Sequence, residues 1–213
     1  MTPTTGKILP GRAPGLHLAD AGRRQAEALA TRLASWAPPE ARDGERPAPG
    51  RGKQPKISAV YASPLERTRQ TAGPIASALG LRVQIDRGLL ECDFGDWTGA
   101  ELKNLSKLPE WATVQRYPSG FRFPGGESFR GMQTRIVGSL AALAAEHPGE
   151  TVVAVSHADP IKAAVSDALG AHLDLFQRIV ISPCSVTAIS YGPAGPSVLT
   201  VNSTAAFGEV VPQ

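Results

Sequence analysis

The chain twice repeats one construction, and that repetition limits its fold more than any other feature. Ile57 to Tyr61 is a short apolar run that leads into Ser63-Pro64-Leu65-Glu66, and Thr151 to Ser156, with Val152, Val153, Ala154 and Val155, leads into Asp159-Pro160. A continuous apolar run between turn signals is the pattern of a strand buried on both faces in a parallel sheet. A hydroxyl or carboxylate cap with proline in the first turn is a helix start, and Glu66 has the spacing to reach back and close a capping box. Parallel strands need a crossover, for which a helix is the usual choice. Strands alternating with helices therefore predict an α/β three-layer sandwich, a mostly parallel sheet flanked by helices.

The other segments fit between these crossings. Met1 to Leu18, rich in Thr, Gly and Pro, reads as an exposed loop. Asp20 can cap a helix with an inward stripe of Ala26, Leu29, Ala30, Leu33 and Trp36, ending at Pro38-Pro39. Residues 38–56 turn to Pro, Gly, Arg and Glu, too polar and broken to bury anything, and read as a flexible insertion. The helix after Glu66 runs to about Leu79 and stops at Gly80, Leu81 to Ile85 is a second strand, and Gly88 to Gly99 is an acidic, aromatic loop. Pro124-Gly125-Gly126-Glu127 precedes a long helix with Phe129, Met132, Ile136, Leu140 and Leu143 on one face, a core stripe. Ser185 to Tyr191 and Ser197 to Asn202 flank Gly192-Pro193-Ala194-Gly195-Pro196 as a terminal hairpin. With 213 residues and 42% hydrophobic content the chain can fill one core, so residues 1–213 read as a single domain.

Charge and cysteine usage narrow the function. A net charge of +3 and a pI of 9.1 are mildly basic, but Arg and Lys are scattered, which disfavours a nucleic-acid surface and suits a small anionic substrate equally well. Cys92 and Cys184 have neither metal-ligand nor disulfide-framework spacing, and with no basic-then-apolar leader the chain reads as cytoplasmic with reduced thiols. No apolar run approaches the roughly 20 residues that span a bilayer, so a membrane role is disfavoured.

Ligands of open α/β sheets bind beyond the carboxyl ends of the strands, where helix N-termini favour anions. Arg67 falls in the first turn of its helix, able to grip a phosphate bidentately, although its position also suits an ordinary surface arginine. His157 leaves a buried strand and can donate to a phosphoryl oxygen or bond a backbone carbonyl structurally. Asp159 fits a helix cap, and capping does not preclude proton delivery. Glu91 shares a loop with Asp93 and Asp96, and partial burial among carboxylates would raise its pKa into the range of a general acid. A solvated turn or a magnesium site are the competing readings of these carboxylates.

In this order the segments resemble the histidine phosphatase superfamily, the phosphoglycerate mutase-like proteins, and within it actinobacterial phosphomutase-type members. The resemblance runs through Leu18 to Ala26, Ser63-Pro64-Leu65-Glu66-Arg67-Thr68-Arg69, Gly95-Asp96-Trp97-Thr98-Gly99, Pro124 to Ser128 and Val155-Ser156-His157-Ala158-Asp159. It implies a phosphohistidine mechanism with no metal and no cofactor, acting on a small phosphorylated substrate. Carried onto this sequence, Arg67 grips phosphate, Glu91 donates the proton, and His157 is the second pocket histidine and a phosphate ligand. Arg12, Asp159 and Thr4, which stands where relatives often carry asparagine, become possible substrate contacts. Residues 101–123, with Trp111 and Tyr117, would form the lid. The long insertion of the glycolytic mutases is missing, which favours a phosphatase or a mutase of unknown substrate.

One part of the pattern is absent. The family's arginine-histidine-glycine motif, which ends its first strand and holds the nucleophile, has no counterpart here, because none of His17, His147, His157 and His172 follows an apolar strand with Arg before and Gly after. By the usual spacing the nucleophile would fall about two residues before Met1. The expectation is an enzyme whose first strand lies upstream, leaving the chain as it stands inactive; the alternative is an inactive protein that binds phosphorylated ligands. The missing strand is central in the family's sheet, and each buried orphan left by its loss costs roughly 1–3 kcal/mol against a total stability of about 5–15 kcal/mol. This favours the upstream strand, and a monomer or a homodimer that covers the edge.

Overall fold

In the computed structural model, which describes residues 1–36 and 57–204, the sheet is built around β1 (Ile57–Ala62). On one side it pairs in parallel with β2 (Val83–Ile85), Val60 opposite Val83, and on the other with β3 (Thr151–Val155), Val60 opposite Val153. The order is β2-β1-β3, and β4 (Val186–Gly192) and β5 (Gly195–Ser203) form a separate antiparallel pair, the expected terminal hairpin.

Two helical layers enclose this sheet. Helix α1 (Asp20–Trp36) and α2 (Glu66–Ala78) cover one face: Leu29, Ala30 and Leu33 meet Ala72, Ile75 and Ala76 over Ile57, Val60 and Ala62. The other face is packed by α5 (Phe129–Glu146) and α6 (Ala158–Ala168) through Phe129, Met132, Ile136, Ala163 and Ala164 over Ala59 and Tyr61. The alternation of β1 thus divides its side chains between two cores, as a strand of period two inside a sandwich must. Between β2 and α5 the chain forms α3 (Leu102–Leu105) and α4 (Glu110–Arg116), where Trp111 stacks on Trp97 with ring centroids 6.3 Å apart. Segment 7–9 ties to residues 99–102 by Leu9 N–H to Ala100 and Gly99 N–H to Leu9, so the first loop is bonded to the base of the expected lid.

The sequence reading needs several corrections. Strand β3 packs on both cores, Val152 and Ala154 on one and Val153 and Val155 on the other, but its residues are partly and not fully buried. Among the described strands it pairs with β1 alone. Three expected caps are also placed differently. Asp20 lies inside the first turn of α1. Glu66 is the first residue of α2 and accepts from Gly15 N–H at 3.0 Å, so no capping box closes. Asp159 sits in the first turn of α6, whose cap position is His157, and its carboxylate pairs with Lys162 at 3.2 Å. Strand β2 begins at Val83, two residues later than expected. The insertion expected over 38–56 falls outside the described residues. Among the described residues no helix is long and apolar enough to cross a membrane.

Candidate active site

The two parallel crossings are stitched together where their strands end. Ser63 N–H donates to the Val155 carbonyl at 3.0 Å, closing β1 against β3, and the Ser63 Oγ lies 2.9 Å from His157 Nε2. Both side chains are buried. The imidazole Nδ1 faces Glu91 Oε2 at 4.0 Å, too far for a hydrogen bond but close enough that the groups share one pocket. Arg67, 8% exposed, enters from the first turn of α2 and donates Nη2–H to the Gly11 carbonyl at 2.8 Å. Gly11 has φ +49°, and a Cβ there would meet Thr98 Oγ1 at 2.7 Å, so glycine is what lets this carbonyl reach the guanidinium. Arg67 Nη1 is buried with no partner among the described residues.

Burial sets the protonation states. Glu91 is pushed up to about 8, first by burial and then by the Asp159 carboxylate, against which the Cys92 N–H, Arg67 and Lys162 act. At neutral pH its carboxyl carries a proton. Burial also holds the His157 imidazole well below its usual range, with Arg67, Arg135 and Arg12 adding to the effect, so the ring is neutral. Burial pulls Arg67 down as well, opposed by Glu91 and Glu66. The pocket thus pairs a buried cation with a neutral donor ring and a neutral acid, the set that a multiply charged anion would complement.

Arg67, Glu91 and His157 are brought together, while the other candidates lie around or away from them. Asp159 is near enough to raise Glu91 and is held by Lys162. Arg12 is engaged at every nitrogen: Nε–H donates to the Glu91 carbonyl at 2.9 Å, Nη1 pairs with Asp93 at 3.4 Å and Nη2 with Glu127 at 3.0 Å. Thr4 makes its contacts within its own turn, its carbonyl accepting from Lys7 and Ile8 N–H and its hydroxyl meeting Thr2 at 3.4 Å. Asp93 accepts from Gly95 N–H, and Gly95, at φ +51°, lets the Pro124 carbonyl approach where a Cβ would collide at 2.0 Å. Among the described residues no three His, Cys, Asp or Glu side chains are grouped to hold a metal ion.

Arg135 and Glu127 were not foreseen in these roles. Glu127 receives Arg12 and a bidentate fork from Arg135, and Arg135 also reaches the carbonyls of Gly88, Leu90 and Glu91. The sequence signals are that Glu127 belongs to the Pro124 to Ser128 segment that carries the family resemblance and that Arg135 lies eight residues on, across the start of α5.

Residues 46–204 match the histidine phosphatase superfamily (branch 1). Phosphoserine phosphatase 1 of Hydrogenobacter thermophilus is 29% identical over 212 residues, covering 93% of this chain and 88% of that protein. A bifunctional protein of Mycobacterium tuberculosis is 35% identical over 150 residues, covering 70% of this chain, which spans only 41% of that protein. Among solved structures, the mycobacterial glucosyl-3-phosphoglycerate phosphatase superposes with a TM-score of 0.75 at 23% identity, covering 93% of this chain and 92% of that one. A phosphoserine phosphatase mutant from Entamoeba histolytica in complex with phosphoserine gives 0.77 at 22% identity, covering 94% and 90%. The structural likenesses are of fold, but the family match runs through most of the chain, including the residues of both crossings, and by it the protein belongs to the histidine phosphatase superfamily.

Proposed function

We propose that the protein hydrolyses a small phosphomonoester, or transfers its phosphoryl group, through a phosphohistidine. The observation that carries this reading is Arg67, a buried guanidinium with an unpartnered nitrogen beside a neutral imidazole and a protonated carboxyl. A buried charge left unpaired is costly, and a phosphoryl group gripped by its oxygens would compensate it. In the proposed cycle a histidine nitrogen attacks phosphorus as the bond to the leaving alcohol oxygen breaks, and Glu91 gives its proton to that oxygen. Water then attacks the phosphohistidine, the N–P bond breaks, Glu91 takes back a proton, and inorganic phosphate leaves. An alcohol in place of water gives transfer. Arg67 and an N–H of His157 hold the phosphoryl oxygens through both steps.

We place the nucleophile on a strand that precedes Met1 and lies along the free edge of β3. Two features support this. The strands β3 and β4 pair with other partners, yet Val152, Ala154 and Ile189 pack on one core and Val153, Val155 and Val186 on the other, as strands on either side of a shared neighbour would. The remaining histidines are engaged elsewhere: His17 with Gln70, His147 with Tyr61 and Glu150, and His172 with the Asp174 backbone. This last observation also favours a second reading, an inactive protein that binds phosphorylated ligands.

Inorganic phosphate binding by calorimetry and hydrolysis of an alkyl phosphate, measured on the chain as it stands and on one extended upstream, separate the two. Turnover that appears on extension and is lost in Arg67→Ala and His157→Ala supports the enzyme. Binding without turnover in either form supports the second reading, and failure to bind phosphate at all overturns both.

A further inference from the structure

Arg135 makes five hydrogen bonds beside the pocket, and the cycle above gives it no task. It rises from α5 and grips Glu127 with both edges of its fork, Nε–H to Oε1 and Nη2–H to Oε2, each at 2.9 Å. Its other donors go to main chain: Nη1 to the carbonyls of Gly88 at 2.7 Å and Leu90 at 2.8 Å, and Nη2 to that of Glu91 at 3.3 Å. Arg12 takes the same Glu91 carbonyl at 2.9 Å and the same Glu127 carboxylate at 3.0 Å, and Glu127 also accepts from Asp93 N–H at 3.3 Å. The peptide of Glu91 is therefore held by two guanidinium groups that share one carboxylate anchor. Among the described residues the Glu91 side chain itself has a single hydrogen bond, its Oε1 accepting from Cys92 N–H at 2.9 Å.

A side chain so lightly held owes its place to its backbone. We infer that Arg135, braced by Glu127, is a positioning residue for Glu91: it clamps the 88–91 main chain so that the carboxyl stays buried opposite His157 and aimed at the leaving oxygen. This rests on Glu91 acting as the proton donor proposed above. Only a planar fork with five donors can serve a carboxylate and three carbonyls at once, so lysine is a poor substitute. Among the described residues the hydrogen bonds of Arg135 go to Glu127 and the 88–91 carbonyls and none to Arg67 or His157, so the clamp acts first on proton delivery.

The charged groups facing Glu91 are Asp159 and Lys162 of α6 and Arg67 of α2, with His157 at the α6 cap and Arg12 from the first loop. Loss of Arg135 as a mere positive charge would raise the Glu91 pKa or leave it unmoved. Loss of it as a clamp would admit water and lower it. The full chain is therefore titrated by NMR with its glutamate carboxyls labelled, Glu91→Gln assigning the signal, in wild type, Arg135→Gln and Glu127→Gln. In wild type the midpoint is expected near 8, and in both clamp variants it moves toward the ordinary carboxylate range.

Kinetics give the second readout. An alkyl phosphate needs a proton on its leaving oxygen, whereas p-nitrophenyl phosphate releases a stable phenolate. Arg135→Gln should lower kcat for the alkyl ester on the order of 10- to 100-fold and for the aryl ester by less than about threefold, KM holding in both. Arg135→Lys should recover part of the loss. A midpoint unmoved in the clamp variants, or equal losses on both esters, overturns the proposal. If Arg135→Gln does not fold, Glu127→Gln decides by the contrast between the two esters, since loss of the Glu127 charge lowers the Glu91 midpoint by itself. These rates are measured on the chain extended upstream; absence of any hydrolysis by that form would overturn the proposed function, and the titration would then decide the clamp alone.

Discussion

The two strand-to-helix crossings look alike in sequence and differ in the fold. Strand β1 has parallel partners on both sides, with Val60 and Ala62 fully buried, and it delivers Arg67. Strand β3 has one partner among the described strands, is only partly buried throughout, and delivers His157. Both nonetheless present their candidate site side chains buried, Arg67 at 8% and His157 at 7% exposure. Burial of the site thus does not depend on burial of the strand that leads to it. The difference arises where the strand ends meet: Ser63 bonds the backbone and the imidazole of the second crossing, and the loops of Gly11 and Glu91 close over the top.

The largest expected effect lies at the end of the first crossing. In the chain extended upstream, Arg67→Ala should reduce phosphomonoester turnover on the order of 10²- to 10³-fold, as loss of an anion-stabilising donor does. The thermal midpoint should hold or rise, because the substitution removes a buried cation with an unpartnered nitrogen. A parallel fall in turnover and midpoint would make Arg67 a structural residue. Next in size is the contrast between the strands themselves. Val60→Ala should cost about 2–3 kcal/mol in urea unfolding and Val153→Ala less than about 1 kcal/mol, since only the first is fully enclosed. Equal costs would show the far edge of β3 to be covered in solution.

Much of this was legible in the chain. Apolar runs and proline placement located β1, β3, α2 and α6, because those signals act within a few residues. Arg67 and His157 each follow such a landmark and Glu91 lies in an acidic loop, but their roles came from the family resemblance and not from these local signals. The caps were misread for the opposite reason: a capping side chain is claimed by whatever reaches it, and Glu66 is taken by Gly15, 51 residues earlier. The Arg135 clamp left almost no trace, because its partners are backbone carbonyls more than forty residues away and a carbonyl has no letter in the sequence. Strand β3 reads as fully buried from composition, while its actual exposure depends on which strands lie beside it.

The buried acid and the buried ring that meet between the crossings give opposite pH dependences. Glu91, raised to about 8, keeps its proton in the folded state where the unfolded chain has lost it, so its contribution is full below about pH 4.5 and declines as pH rises towards 8. His157, lowered well below 6.5, stays neutral in the folded state where the unfolded chain protonates, so its contribution is full above about 6.5 and is lost as pH falls. The two offset each other between these limits, and above pH 6.5 only Glu91 acts. Wild type should lose on the order of 1–2 kcal/mol between pH 6.5 and 8 relative to Glu91→Gln, measured by denaturant unfolding. Parallel curves for the two proteins would show Glu91 ionised throughout.

The smallest effect is expected at the stitch itself. Ser63→Ala removes the hydroxyl that meets His157 Nε2 but leaves the Ser63 N–H to Val155 bond in place, so the strands should stay paired. What changes is the ring: a buried imidazole nitrogen loses its partner, at a cost of about 1 kcal/mol. The buried hydroxyl can donate to that nitrogen or accept from it, so it serves either tautomer and fixes the place of the ring, not its proton. The nitrogen-15 shift of His157 Nε2 should therefore move in Ser63→Ala, where the nitrogen has lost its hydrogen bond, with Ser63→Thr restoring it if its hydroxyl takes the same place. An unchanged spectrum would mean that the second crossing orients its histidine alone, through the turn into α6, and that the two crossings are joined by backbone only.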